Sequence, residues 1–199
     1  MKHKTIANEL ITLKEADLAL RTQLLKAGTL QDGYDSKMEA LHIAHAKQLT
    51  TILDSIGYPI EAKVGKEASE AACLVIQHAI SLPDFMRRCQ TLLEKAVAKE
   101  NASPILLVYL TDRIAVLEGK PQQYGTQFDW DKNGVLQANP FDDLDAVNKR
   151  RKSIGLNTLK EQLAVMRQRA KDENQLPPKD FLKKEKAFQE WRKRVGWIV

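Results

Sequence analysis

The sequence predicts a mainly α-helical fold, a single-domain bundle of about eight helices with one small β-hairpin near residues 122–139. Apolar residues recur at steps of three and four along most of the chain, as in helices that bury one face. Asn133-Gly134 lies between two short stretches of strand-forming residues, which is typical of a hairpin turn. With 199 residues, of which 43% are hydrophobic, the chain can bury its own core. We therefore expect one domain over residues 1–199.

Five helices are predicted in the first 120 residues. Leu10, Leu13, Leu20 and Leu24 give the first helix an apolar stripe, and a turn at 29–35 follows it. The sequence also allows the helix within residues 1–30 to lie at the periphery of the domain. Glycine, proline or a capping Ser separates the later helices, with Ser36 as the expected N-cap of the second. The five segments are about 6–28, 36–56, 67–80, 83–99 and 104–119.

The second part of the chain begins with the predicted hairpin, with strands at 122–128 and 135–139. Three helices follow, at about 143–154, 158–172 and 178–195. Pro177-Pro178 is the expected hinge before a docked C-terminal segment, residues 178–199. Trp191 and Trp197 are expected to anchor that segment by burial.

The charge distribution and the cysteine content indicate which partners and which cellular compartment to expect. The net charge of +5 is concentrated in residues 147–199, which hold 15 Lys and Arg against 6 Asp and Glu. Because this region lacks the interleaved aromatic residues of a base-stacking platform, we do not expect nucleic acid as a partner. No apolar run is long enough to cross a bilayer, no signal peptide begins the chain, and the two cysteines lie in apolar helical patterns. We expect a reduced cytoplasmic protein without membrane contact.

Two predicted helices are apolar on nearly all sides, yet each carries polar residues. The helix at 67–80 contains Gln77-His78, and the helix at 104–119 contains Asp112-Arg113. A helix without a polar stripe is usually central, so these side chains should be buried. Buried charges need partners, because an unpaired one costs several kcal/mol. The residues leave two interpretations open: a structural network between helices, or the polar wall of a ligand pocket.

The polar residues of these two helices would form a candidate site if they lie next to the hairpin. His78 is the candidate general acid or base, since its charge changes near neutral pH, and Asp112 would orient it. Arg113 and Arg151 would contact an anion. The remaining ligand-binding candidates are polar groups of the same helix and of the hairpin region, namely Gln77, Gln122, Tyr124, Thr126 and Gln127.

Two groups of residues resemble metal sites. His42 and His45 are spaced i, i+3, and together with His78 and Asp112 they could form a three- or four-ligand site. Helical His pairs are more often packing residues, so no metal and no cofactor is assigned from the sequence. Asp129–Gly134 opens like a calcium loop, but Pro140 stands where the bidentate Glu is required. A hairpin turn explains the same residues.

The chain resembles an uncharacterised bacterial family, a domain of unknown function, from about residue 30 onward. Met38 and His42 fit its M-x-x-x-H pattern. The order and spacing of the other motifs make the resemblance specific, although Tyr58-Pro59 replaces a frequent Trp-Pro and Cys73 to Ile76 replace a frequent W-L-I. The resemblance implies one domain with a recurring polar set and implies no reaction. Its motifs are V-G at 64–65, Q-H-A at 77–79, Y-L-x-D-R-I at 109–114, Q-x-Y-G-T-Q at 122–127 and R-R-x-x-x-G-L at 150–156.

The sequence thus favours a small-molecule-binding or hydrolytic domain for a phosphate- or carboxylate-bearing ligand. It does not decide whether the protein is an enzyme, because no nucleophile is apparent and hydrolysis would need an activated water. The alternative is a protein-interaction module in which the buried polar network is purely structural. Its working face would be the basic C-terminal helices.

Overall fold

The mainly α-helical prediction is confirmed in the computed structural model, which describes residues 2–28 and 34–199. These residues form nine helices and one two-stranded antiparallel sheet. None of the helices in the described residues combines the length and the apolar character needed to cross a membrane. In chain order the elements are α1 Lys4–Lys26, α2 Ser36–Ile56, α3 Glu61–Val64, α4 Lys66–His78, α5 Pro83–Val97, α6 Pro104–Leu117, β1 Phe128–Trp130, β2 Leu136–Ala138, α7 Leu144–Ser153, α8 Leu159–Asp172 and α9 Phe181–Val195.

Capping side chains set several helix boundaries. Asp35, not the expected Ser36, caps α2 by accepting hydrogen bonds from the backbone N–H groups of Lys37 and Met38. Thr158 and Glu161 form a reciprocal capping box at the start of α8. Asp180 caps α9, so this helix begins three residues after the expected position. The one-turn helix α3 was not predicted, and the predicted turn at 29–35 lies outside the described residues for positions 29–33.

The described chain divides into two compact units, Met1–Leu110 and Thr111–Val199, so a single domain stays a prediction. In the first unit α1 packs mainly against α4 and also contacts α2. Leu10 of α1, Leu49 of α2 and Val75 of α4 are buried in this core. Helix α1 therefore belongs to the core of its unit, and the peripheral position considered for it is wrong.

The second unit is built around the hairpin. Strand β1 pairs with β2 in antiparallel register, with Phe128 opposite Ala138, and α8 packs against β2. Helix α9 is held by Arg192, which donates hydrogen bonds to the carbonyl oxygens of Val116 and Leu117. Trp197 is buried as expected, whereas Trp191 is only half-buried.

The predicted strand at 122–128 is corrected to 128–130. Residues 123–127 are not paired as a strand, because three of their backbone N–H groups donate to the carboxylate of Asp112. Gly125, in the middle of this segment, has a φ of +63°, which side-chain-bearing residues rarely adopt. A Cβ at this position would lie 2.7 Å from Cδ1 of Leu159. The loop is therefore bent around Asp112 and pressed against the start of α8.

We predict that Gly125→Ala lowers the free energy of unfolding by about 2–4 kcal/mol, since backbone strain adds to the clash with Leu159. Gly155 is the matched control, because its φ is +75° and a Cβ there would meet nothing within 4 Å. Gly155→Ala should cost only about 1 kcal/mol of backbone strain. Urea denaturation of both variants measures the difference. Equal losses would contradict the packing of Gly125.

Candidate functional site

The first unit contains a cluster of one carboxylate and two imidazoles, each from a different helix. Asp17 of α1 is 0% exposed. Its Oδ2 lies 2.8 Å from Nδ1 of His78, the last residue of α4, and 2.9 Å from Nε2 of His42 in α2. The two imidazole rings are 5.0 Å apart between centroids. One oxygen atom thus contacts groups from two other helices.

Tyr34 extends the cluster on the side of His42. Its hydroxyl lies 2.6 Å from Nδ1 of His42 and 3.4 Å from the backbone carbonyl oxygen of His78. The Tyr34 ring also stacks on the imidazole of His42. The order of contacts is therefore Tyr34, His42, Asp17 and His78.

Burial and the two neighbouring imidazoles act in opposite directions on the pKa of Asp17. Burial is the largest single influence and raises the pKa of its carboxyl group, but the contacts with His42 and His78 together outweigh it and hold the pKa well below its usual range. Asp17 is therefore ionised at neutral pH. The neighbouring His45 is buried on α2, and burial lowers its pKa, a shift that the charge of Asp17 opposes and that of His42 reinforces.

The two imidazoles differ in their access to solvent. The side chain of His42 is 7% exposed and that of His78 is 27% exposed. His78 is therefore the more accessible of the two imidazoles. His78 is the acid or base predicted from the sequence and His42 a predicted metal candidate, but the partner carboxylate is Asp17 and not the predicted Asp112.

Asp17 was missed although the sequence carries a signal for it. The apolar stripe of α1 runs through Leu10, Leu13, Leu20 and Leu24, and position 17 falls on the same face at steps of three and four. A carboxylate at a core position of an amphipathic helix indicates that it has buried partners. Asp17 also precedes the part of the chain covered by the resemblance.

A second buried carboxylate, Asp112, lies in the second unit. It is 0% exposed and accepts hydrogen bonds on both oxygens. The donors are the backbone N–H groups of Gln123, Tyr124 and Thr126 and the hydroxyl of Thr126, at 2.8–3.2 Å. This arrangement holds the loop 123–126 around the carboxylate.

Gln122 and Arg151 complete this network. The side chain of Gln122 accepts from the N–H of Gln127 and donates to the carbonyl oxygens of Gln127 and Asn139. Arg151 is 1% exposed and donates to the backbone carbonyl oxygens of Tyr124 and Asn157 and to the Asn157 side chain. These groups bind one another and the backbone, as a structural network does.

The other predicted ligand-binding residues are placed as follows. Gln77 precedes His78 on α4, and its side-chain amide is buried. Arg113 follows Asp112 on α6 and is half-buried. The side chain of Gln127 donates to the hydroxyl of Thr126. His78 and Gln77 lie in the first unit and the remaining candidates in the second. The ligand-binding roles assigned from the sequence stay predictions.

Comparison with known proteins places the chain in a family without a known reaction. The model of a family of unknown function, DUF6624, matches residues 4–171, and the chain belongs to this family. The match includes all four residues of the Tyr34, His42, Asp17 and His78 cluster. No significant match was found among curated proteins or among solved structures.

We predict that Arg151→Lys lowers the free energy of unfolding by about 2–4 kcal/mol, because lysine cannot reproduce the fork of donors and leaves buried acceptors unpaired. Arg150 is the matched control on the same helix; it donates to Asp142 and to the carbonyl oxygen of Gln123 at the surface. Arg150→Lys should cost about 1 kcal/mol or less. Thermal and urea denaturation measure both values. An Arg151→Lys variant as stable as the wild type would contradict the structural role of this network.

Proposed function

We propose that the protein binds or hydrolyses a small molecule that carries a phosphate or carboxylate group, with Asp17, His42 and His78 as the reacting centre. One observation carries the proposal. A fully buried, ionised carboxylate contacts two imidazoles, one of which reaches the surface. Ionisable groups with strongly perturbed pKa values cluster at functional sites more often than elsewhere.

The contact between Asp17 and His78 defines a possible acid–base role. Nδ1 of His78 donates its proton to Oδ2 of Asp17, which fixes the tautomer and leaves Nε2 as the basic nitrogen. In hydrolysis Nε2 would take a proton from water as the water attacks the ester, and would return it to the leaving oxygen. Asp17 thus has the orienting role that the sequence analysis gave to Asp112.

The anionic class of the ligand comes from the sequence prediction, in which Arg113 and Arg151 bind it. The guanidinium group of Arg151 already donates to Tyr124 and Asn157. We therefore assign the anion to the cluster itself, where a protonated His78 would donate from Nε2 to a phosphate or carboxylate oxygen.

The test uses the purified full-length chain and probes of known chemistry. Turnover is measured with p-nitrophenyl phosphate and p-nitrophenyl acetate, and binding by the thermal shift in inorganic phosphate and in acetate. We expect hydrolysis of at least one ester, or stabilisation by one anion. His78→Asn should reduce the effect by about 100-fold or more, since general acid–base catalysis contributes about that factor.

The control is His3→Asn, which changes a histidine outside the cluster. It should leave turnover and binding unchanged. The proposal fails if the wild type neither hydrolyses an ester nor responds to an anion, or if His78→Asn is as active as the wild type.

A second candidate function is a protein-interaction module whose buried polar groups are structural. The saturated bonding around Asp112, Gln122 and Arg151 favours it, and Leu176 and Leu182 are largely exposed in the basic C-terminal region. On this alternative, His78→Ala and Gln127→Ala should each lower the free energy of unfolding by about 2 kcal/mol or more, without any ligand effect. Normal stability of both variants, measured by urea denaturation, would rule it out.

A further inference from the structure

We propose that Asp17, His42 and His78 form a binding site for one divalent transition-metal ion, with zinc as the best-fitting ion and one coordination position open to water. The inference rests on the proposed function in using the same cluster and adds the identity of its cofactor. One ligand atom from each residue lies within 4.8 Å of the other two. Two imidazole nitrogens and one carboxylate oxygen form a ligand set that catalytic zinc sites use.

The separation of the ligand atoms fits an ion after a small movement. With zinc–ligand distances of about 2.0–2.1 Å, tetrahedral ligand atoms lie about 3.3 Å apart. Oδ2 of Asp17 now lies 2.8 Å from Nδ1 of His78 and 2.9 Å from Nε2 of His42. The Asp17 oxygen needs to move away from each of the two nitrogens by only a few tenths of an ångström, and the ligand atoms all lie within 4.8 Å of one another.

Two buried atoms of the cluster lack a hydrogen bond among the described residues, and this is the strongest indication of a missing ligand. Oδ1 of Asp17 has no donor. Nε2 of His42 is close to Oδ2 but is not aligned with it for a hydrogen bond. An unsatisfied buried polar atom destabilises the folded state, because it has lost its hydrogen bonds to water. A metal ion on Oδ2 would accept the lone pair of Nε2 and would neutralise the carboxylate to which Oδ1 belongs.

Tyr34 lies where a supporting residue of a metal site is expected. A histidine that binds metal through Nε2 usually donates from Nδ1 to a nearby acceptor. The Tyr34 hydroxyl lies 2.6 Å from Nδ1 of His42 and 3.4 Å from the carbonyl oxygen of His78. It can therefore accept from Nδ1 of His42 while it donates to the carbonyl oxygen of His78, and in that arrangement the lone pair of His42 is on Nε2.

The buried carboxylate of Asp112 offers a useful contrast. Its two oxygens accept hydrogen bonds from three backbone N–H groups and one hydroxyl. A cation there would face the positive ends of these N–H dipoles, so the network excludes a metal. The carboxylate of Asp17 and the Nε2 lone pair of His42 have the opposite polarity and attract one, and His78 joins them through Nδ1 once its proton is on Nε2.

A bound ion would also account for an anionic ligand. A divalent cation with one carboxylate ligand leaves a net positive charge of one, which attracts phosphate or carboxylate. The ion would replace His78 as the group that activates water, because zinc lowers the pKa of bound water to about 7. The resulting hydroxide would attack the phosphorus or the carbonyl carbon, and the ester oxygen would leave with a proton from solvent.

The test is calorimetric titration of the metal-free, full-length chain with zinc chloride. We expect one zinc ion per chain, a rise in melting temperature and, with Co²⁺ in place of zinc, the visible absorption of a low-coordinate site. Asp17→Asn and His42→Ala should weaken zinc binding by about 100-fold or more. Tyr34→Phe keeps the ring on His42 and should weaken it by about 10–100-fold, as loss of a supporting hydrogen bond does.

His3→Ala is the control for binding by surface histidines and should bind zinc like the wild type. Circular dichroism of each metal-free variant establishes folding, and Tyr34→Phe provides a test if Asp17→Asn or His42→Ala does not fold. The proposal is overturned if the wild type takes up less than one zinc per chain, or if a folded Tyr34→Phe and a folded His42→Ala both bind zinc with wild-type affinity.

The same samples separate this proposal from the proposed function. Ester hydrolysis that persists unchanged after removal of all metal by a chelator would overturn the metal site and leave the acid–base function intact. Zinc binding at one ion per chain, without any effect on esters or anions, would support the metal site and count against the proposed function.

Discussion

The buried charge of Asp17 is the constraint on which the first unit depends. A carboxylate without solvent is tolerated only where other groups compensate its charge, and here the compensation comes from His42 and His78. These three residues lie on α1, α2 and α4, three of the helices that contribute to the core of the unit. The packing of the helices and the chemistry of the cluster therefore depend on the same contacts.

Asp17 and Asp112, the two buried carboxylates among the described residues, illustrate how partners determine the role of a polar group. Asp112 is surrounded by N–H and O–H donors, and its hydrogen bonds hold a loop in place. Asp17 is accompanied by imidazoles, which can carry a proton or offer a lone pair, and one of its oxygens has no donor among the described residues. The first arrangement is complete by itself, whereas the second can still bind a proton, a cation or a ligand.

The helices and the hairpin position could be predicted because apolar spacing, capping residues and Asn-Gly turns are local signals. The strand predicted at 122–128 was wrong because these residues bind Asp112, a contact that no local pattern reveals. His78 and His42 could be identified as candidates by residue type. Their partner carboxylate, Asp17, could not be identified, since the packing of three helices against one another is a tertiary property. Asp112 was predicted instead because it lies in the more apolar helix. The interruption of the α1 stripe at Asp17 was the one available signal.

The central claim is that Asp17, His42 and His78 form one metal-binding centre. Anomalous diffraction at the zinc absorption edge, from crystals grown with zinc, tests it most directly. The account predicts a single strong peak about 2.0–2.2 Å from Oδ2 of Asp17, Nε2 of His42 and Nδ1 of His78. Crystals with no zinc at this position, and with His78 still hydrogen-bonded to the Asp17 carboxylate, would contradict it.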